Sequence, residues 1–179
     1  MPINIRHTVR KGIMKTLLTC VLLTAPILAP AASGDPDAGF YHKLAQGGLT
    51  EVELGKLAQE KATDPKVRDF AAMMVKDHSA ANQELQRLAT SKNISLPEHV
   101  SASQAASKTK LHALSGSTFD KSYVKSQVAA HKDTVKLLNK EIESGKDPDA
   151  KAFAQKVLPK VNEHLKAIDQ IAATEGTAP

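Results

Sequence analysis

The chain has 179 residues, a length that fits one domain of ordinary size. Its formal net charge of +5 comes from 24 basic and 19 acidic residues, but four of the basic residues and none of the acidic ones fall in residues 1–32, which leaves 20 against 19. The rest of the chain is nearly neutral and has no basic patch interleaved with aromatic residues, which argues against nucleic acid as a partner.

The first thirty residues are typical of a secretory signal peptide. Basic residues precede an apolar run that ends in small residues of the kind that signal peptidase recognises: Arg6, Arg10, Lys11 and Lys15, then Leu17–Leu28, then Ala29-Pro30-Ala31. We therefore predict a signal peptide over residues 1–32, export to the periplasm or the outer membrane, and no membrane span after cleavage. Lipidation of Cys20 is the less favoured alternative. Because Cys20 is the one cysteine of the chain, the domain over residues 33–179 must be held by its core and not by disulfides.

Start and stop signals divide residues 36–174 into helices. An aspartate, which accepts hydrogen bonds from free N–H groups, precedes a proline, which fits the first helical turn, at three places: Asp35-Pro36, Asp64-Pro65 and Asp147-Pro148. A fourth start, resembling a capping box, is Ser117-Thr118-Phe119-Asp120, and the predicted stops are Thr63, Asn93, Gly145 and Gly176. The prediction is four long helices over residues 36–62, 64–92, 117–144 and 148–174, with a short helix near residues 101–114 between the second and the third.

Four long helices without an alternating strand pattern predict an all-α protein. The predicted fold is a ferritin-like four-helix bundle with an extra short helix in the connection between long helices 2 and 3. The connection from Asn93 to Gly116 can run along the bundle as a crossover, which would make the second and third long helices parallel. An up-down-up-down bundle with a side helix is the alternative, and the sequence leaves both open. The oligomeric state is left open too, a homo-oligomer included.

Three of the long helices carry the same short pattern near their middle. Each pattern is a valine followed three residues later by a histidine: Val75 to His78, Val128 to His131 and Val161 to His164. Residues three or four apart share a face of a helix, so each histidine is predicted to point inward with its valine. The histidines lie about 14, 14 and 17 residues into their helices, and Glu51 lies about 14 residues after Asp37, which at about 1.5 Å per residue is near mid-height for all four.

Together these residues predict one metal site. One residue from each long helix belongs to it: Glu51, His78, His131 and His164. Three imidazoles and one carboxylate suit a single first-row divalent ion, which could be zinc, iron, manganese or copper. The alternative is that each histidine is a hydrogen-bonded core residue. The sequence leaves the roles of two further carboxylates open. Glu53 is a rival to Glu51 as the carboxylate ligand, and Asp77 is either a surface residue or an outer partner that orients a histidine of another helix.

The interior glycines and the remaining histidines are interpreted separately. Gly47 and Gly48 stand about one turn before the predicted carboxylate ligand, and glycine inside a helix costs roughly 0.5–1 kcal/mol relative to alanine. Close approach of a neighbouring helix, room for a ligand and plain tolerance are all consistent with them. His42, His99 and His112 share no geometry and are predicted to lie on the surface.

The same residues carry a resemblance to a known family. The segments that carry it are Gly48–Ala58, Phe70–His78, Phe119–Tyr123 with His131, and Leu158-Pro159 with His164. Over roughly Phe40 to Ala173, the chain resembles a widespread family of exported bacterial proteins with a ferritin-like helical bundle, catalogued only as a domain of unknown function. The resemblance implies the fold and export, and it implies no established activity.

One difference from the better-known ferritin-like enzymes bears on the metal. Their di-iron sites use Glu-x-x-His pairs and further glutamates, whereas the residue three before each histidine here is valine. A di-iron oxidase is therefore disfavoured, and one metal or none fits better. Two functions stay open: an exported metal-binding bundle for metal handling or small redox chemistry, and a metal-free envelope or stress-related interaction protein with structural core histidines. Whether the protein is an enzyme is left open.

Overall fold

Five α-helices form in the computed structural model, which describes Met1 and residues 36–177. They are α1 (Ala38–Lys61), α2 (Pro65–Ser91), α3 (Ala102–His112), α4 (Gly116–Ser144) and α5 (Pro148–Glu175), and no strand forms within the described residues. The predicted all-α bundle of four long helices and one short helix is confirmed. Within residues 36–177, no helix combines the length and the apolarity needed to cross a membrane. The predicted signal peptide, apart from Met1, lies outside the described residues.

Two of the predicted aspartate–proline starts form as expected. The Asp64 carboxylate accepts a hydrogen bond of 2.7 Å from the backbone N–H of Lys66 at the start of α2. The Asp147 carboxylate accepts one of 3.0 Å from the N–H of Asp149 at the start of α5. The first turn of a helix leaves such N–H groups without an intrahelical partner, so these bonds stabilise the helix starts.

The first predicted start is wrong by two residues. α1 begins at Ala38, and the side chain of Asp37 makes no capping bond to its own helix. The Asp37 carboxylate instead accepts bonds of 2.5 Å from the backbone N–H groups of Lys146 and Asp147. It therefore binds the turn between α4 and α5, at the same end of the bundle.

The capping box predicted over residues 117–120 is also wrong. α4 begins at Gly116 without a side-chain cap. Asp120 is buried, and its carboxylate accepts bonds from the N–H of Thr63 at 3.1 Å, from the N–H of Asp64 at 3.0 Å and from the Thr63 hydroxyl. The carboxylate thus stabilises the turn between α1 and α2 and not the start of its own helix.

Contacts between the helix ends give the direction of each helix. Thr63, after α1, bonds to Asp120 near the start of α4, and Lys92, after α2, forms an ion pair of 2.8 Å with Asp147 before α5. The connection over residues 92–115 therefore runs along the bundle, and α2 and α4 are parallel, as in the crossover alternative. α1 packs mainly against α2, α4 packs mainly against α5, and α3 contacts α1 and α4.

Two apolar clusters fill the bundle, one towards each end. The cluster near the α1–α2 turn includes Phe70, Met74, Phe119 and Ile168. The cluster near the α4–α5 turn includes Phe40, Leu85, Leu138 and Phe153. Polar side chains occupy the middle of the long helices between the two clusters, and we call them the polar layer: Glu51, His78, Tyr123, Gln127, His131 and His164.

Candidate metal centre

Three imidazoles from three helices meet in the polar layer. His78 on α2, His131 on α4 and His164 on α5 each place one ligand nitrogen within 4.8 Å of the other two. Their ring centroids are 5.5 to 5.9 Å apart. Three imidazole nitrogens bonded to one ion at about 2.0–2.1 Å lie about 3.3–3.6 Å apart. The 4.8 Å limit therefore places the three nitrogens within a small side-chain movement of a bound set. The structure brings together three of the four predicted site residues.

Two of these rings form a hydrogen bond to a neighbouring group through one of their ring nitrogens. The Nδ1–H of His131 donates to the carbonyl oxygen of Gln127 at 2.9 Å, one turn back along α4. The Nε2–H of His164 donates to the carboxylate of Asp77 at 2.9 Å, so Asp77 is an outer partner on another helix. A neutral ring that donates with one nitrogen keeps a lone pair on the other. Nε2 of His131, Nδ1 of His164 and Nε2 of His78 are all buried without a hydrogen-bond partner.

Burial keeps the three imidazoles neutral. Removal from water lowers the pKa of His78 to about 3, and His131 and His164 act in the same direction. Burial lowers the pKa of His131 to about 4, against the hydrogen bond to Gln127. Burial also lowers the pKa of His164, against the carboxylate of Asp77. Because a metal ion binds the neutral imidazole, all three rings are in the binding form at neutral pH.

Glu51 of α1 belongs to the polar layer but lies outside the three-histidine set. It is 6% exposed, and its Oε2 has no hydrogen-bond partner. Burial raises the pKa of Glu51 to about 7, and the amide of Gln127 acts in the opposite direction without reaching hydrogen-bond geometry. Among the described residues, the side chains whose ligand atoms all lie within 4.8 Å of one another are the three histidines. The role of Glu51 as a fourth ligand stays a prediction.

Two further members of the polar layer were not among the predicted site residues. Both amide atoms of Gln127 and the hydroxyl of Tyr123 are buried without a hydrogen-bond partner. Burial raises the pKa of Tyr123, and the charge of Glu51 acts in the same direction. Gln127 lies four residues before His131, on the same face of α4, and that spacing is the signal that could have identified it.

The rival carboxylate and the other predicted surface histidines lie elsewhere. Glu53 forms an ion pair of 2.8 Å with Lys108 of α3, and its side chain is 38% exposed. His42, His99 and His112 are exposed, as predicted. Glu51 is therefore the carboxylate that α1 contributes to the polar layer.

A cavity of about 60 Å³ lies beside the polar layer, and its lining comes from all four long helices. Glu51 and His78 are part of this lining, and so are Gly47 and Gly48. A Cβ atom at Gly48 would collide with the side chain of Asn82, whereas one at Gly47 would meet nothing within 4 Å. Gly48 therefore permits the close approach of α1 and α2, and Gly47 borders open space.

Comparisons with known proteins show a family and a fold. A family model described as "Domain of unknown function (DUF4142)" matches residues 23–171. No curated protein matches the chain.

Three solved structures share the helical fold at low sequence identity. One, described as a secreted DUF305 protein from Streptomyces coelicolor, has a TM-score of 0.69 at 16% identity and covers 83% of this chain and 96% of its own. A DUF305 fragment from Deinococcus radiodurans has a TM-score of 0.68 at 12% identity, over 77% of this chain and 95% of its own. The structure described as CopM in the Cu(I)-bound form has a TM-score of 0.65 at 12% identity, over 77% of this chain and 96% of its own. At such identities the likeness shows the fold alone.

Proposed function

Because the chain belongs to the DUF4142 family, a domain of unknown function, we propose its function from its own residues: it binds one metal ion through His78, His131 and His164. Glu51 is the proposed fourth ligand, as the only carboxylate of the polar layer. Zinc, iron, manganese and copper all accept imidazole and carboxylate donors. The protein would then serve in metal handling or in small redox chemistry.

The unpartnered polar atoms of the polar layer carry this proposal. Seven buried side-chain atoms of the layer have no hydrogen-bond partner: Glu51 Oε2, His78 Nε2, Tyr123 OH, Gln127 Nε2, Gln127 Oε1, His131 Nε2 and His164 Nδ1. Left without any partner, each such atom would cost about 1–3 kcal/mol, and native proteins contain few of them. Three of the seven are nitrogens of His78, His131 and His164, the histidines that each place one ligand nitrogen within 4.8 Å of the other two. A metal ion bound by these unpartnered nitrogens would satisfy all three together.

The outer partners of the imidazoles support the same conclusion. A histidine that binds a metal almost always donates its other N–H to a carboxylate or a backbone carbonyl, which fixes the ring and its tautomer. His164 donates to Asp77, and His131 donates to the carbonyl of Gln127. One bond of each kind is therefore in place.

A single ion fits this donor set better than a di-iron centre. The residues one turn before the three histidines are Val75, Val128 and Val161. A di-iron centre needs bridging carboxylates at such positions. Among the described residues, Glu51 is the only acidic residue of the polar layer, which is too few for two bridged ions.

Two observations support an exported protein. The first thirty residues have the pattern of a signal peptide, and a structure of the same fold is described as secreted. The periplasm or the outer membrane is the proposed location. Another structure of the same fold is described as Cu(I)-bound, and this makes copper the first metal to test.

Metal analysis of protein purified without a histidine tag tests the proposal. After incubation with copper or zinc and removal of the free ion, we expect about one ion per chain. His131→Ala should lose the ion, whereas His99→Ala, at an exposed histidine, should retain it. Equal metal content in the wild type and in His131→Ala would show that the proposal is wrong. If the wild type binds no metal and His131→Ala lowers only the stability, the metal-free interaction protein with structural core histidines is favoured instead.

A further inference from the structure

The cavity beside the polar layer extends from the candidate metal centre to an exposed side chain. Its lining includes Glu51 and His78 of the polar layer, and also Lys43, which is exposed. Most of the remaining wall is apolar: Leu44, Leu85, Leu137, Phe153, Val157 and Val161. The polar side chains of the lining are Glu51, His78, Asn82, Thr134 and Lys43.

The volume limits what the cavity can hold. A single ordered water needs roughly 10–15 Å³, so a cavity of about 60 Å³ admits a few waters or a ligand of two to four heavy atoms. A larger organic molecule does not fit. The fitting ligands are small inorganic molecules and ions.

Charge selects among ligands of that size. Three neutral imidazoles bring no charge to a divalent ion, and Glu51 brings at most one negative charge. A net positive charge left in a buried site of low dielectric constant is costly, and a small anion bound to the ion would remove it. Lys43 adds a positive charge to the cavity lining, which attracts anions.

We propose that this cavity is the entrance through which a small inorganic anion reaches an ion held by His78, His131 and His164. The inference rests on the metal-binding function proposed above and adds the class of ligand. The centre is then an open site with an exchangeable position, and not a closed structural one. An open site is what ligand exchange or small redox chemistry requires.

Azide binding to the Cu(II)-loaded full chain tests this proposal, because azide is a three-atom anion whose bond to Cu(II) gives a charge-transfer absorption band. Gly47→Phe adds, at the cavity wall, a ring larger than the two to four heavy atoms that the cavity admits, so the ring would obstruct the cavity. Gly39→Phe is the matched control, because Gly39 is an exposed glycine of the same helix where a Cβ also meets nothing within 4 Å. We expect azide affinity to be equal in the wild type and Gly39→Phe and at least about tenfold weaker in Gly47→Phe, with one copper ion in each.

The possible results distinguish a failure of the entrance proposal from a failure of the metal-binding proposal. Equal azide affinity in Gly47→Phe and the wild type would overturn the entrance, and so would a copper-loaded wild type that binds no azide. A wild type that holds no copper would overturn the metal site and the entrance together.

A second pair of variants serves if Gly47→Phe loses its helical circular dichroism or its copper. At low ionic strength, Lys43→Gln should bind azide about two- to fivefold more weakly. Lys132→Gln, on α4 and outside the cavity lining, should match the wild type. Equal azide affinity in Lys43→Gln and Lys132→Gln would overturn the proposal.

Discussion

Acidification of the metal-free protein should separate the contribution of the histidines from that of Glu51. His78 and His131 have pKa values lowered from 6.5 to about 3 and about 4, so below pH ~6.5 the unfolded chain binds more protons and stability falls as pH falls. Glu51 acts in the opposite direction. Its pKa is raised from 4.5 to about 7, so the folded protein takes up the proton first and gains stability as pH falls through ~7.

His78, His131 and Glu51 should each change the free energy of unfolding by a similar amount. Between about pH 7.5 and about pH 5, His78 and His131 should each lower the free energy of unfolding by about 2 kcal/mol, and Glu51 should raise it by about 2 kcal/mol. The wild type should therefore lose about 2 kcal/mol, whereas Glu51→Gln, which cannot take up the proton, should lose about 4 kcal/mol. His164, whose pKa is also lowered, adds to the loss in both proteins.

Urea unfolding followed by far-UV circular dichroism, with a chelator present, measures these losses. Glu53→Gln is the matched control, because Glu53 is on the same helix but paired with Lys108 at the surface, and it should behave as the wild type does. An equal acid loss in the wild type and in Glu51→Gln would refute the raised pKa of Glu51. No acid loss in any of the proteins would refute the burial of neutral imidazoles.

Single contacts elsewhere in the bundle give three further expected outcomes. Asp77→Asn should weaken metal affinity about 10- to 100-fold in a competition titration, because His164 loses its carboxylate partner; unchanged affinity would exclude Asp77 as an orienting group. Asp120→Ala should lower the free energy of unfolding by about 1–3 kcal/mol, since the donors of the α1–α2 turn lose their acceptor, and thermal unfolding measures this. Gly55→Ala should destabilise the folded protein by about 1–3 kcal/mol, because its Cβ would lie 2.8 and 3.0 Å from atoms of α2. Gly39→Ala, where a Cβ meets nothing within 4 Å, should not destabilise it. Equal thermal midpoints for the two variants would contradict the close approach of α1 and α2 at Gly55.

The helices could be predicted from the sequence because most of their signals are local. Asp64 and Asp147 bond to N–H groups two residues ahead, and such contacts follow from sequence spacing alone. Asp37, two residues after the predicted start at Asp35, and Asp120, in the predicted capping box, instead bond through their carboxylates to backbone groups 109 and 57 residues away. Those contacts depend on which helix ends become neighbours, which spacing does not specify.

The candidate site, too, could be predicted from the sequence only in part. The convergence of the three histidines could be predicted, because helices are rigid and their midpoints lie at one level whichever direction they run. The partnership of Asp77 with His164 could only be stated as an alternative, because it depends on the rotation of α2 against α5. Helical spacing places Gln127 on the face of His131, and the glycine at position 47 is consistent with room for a ligand. Whether the amide lacks a partner and whether a cavity opens there depend on the packing of all four long helices.

The polar layer also determines how the four long helices align along their axes. A helix that slid by one turn, about 5.4 Å, would carry its imidazole or carboxylate into one of the two apolar clusters. An unpartnered polar group there costs about 1–3 kcal/mol, and in coiled coils a single buried polar residue is enough to select one register. With an ion bound, a shifted helix would withdraw its ligand from that ion, so the layer penalises shifted alignments of the helices that carry His78, His131 and His164.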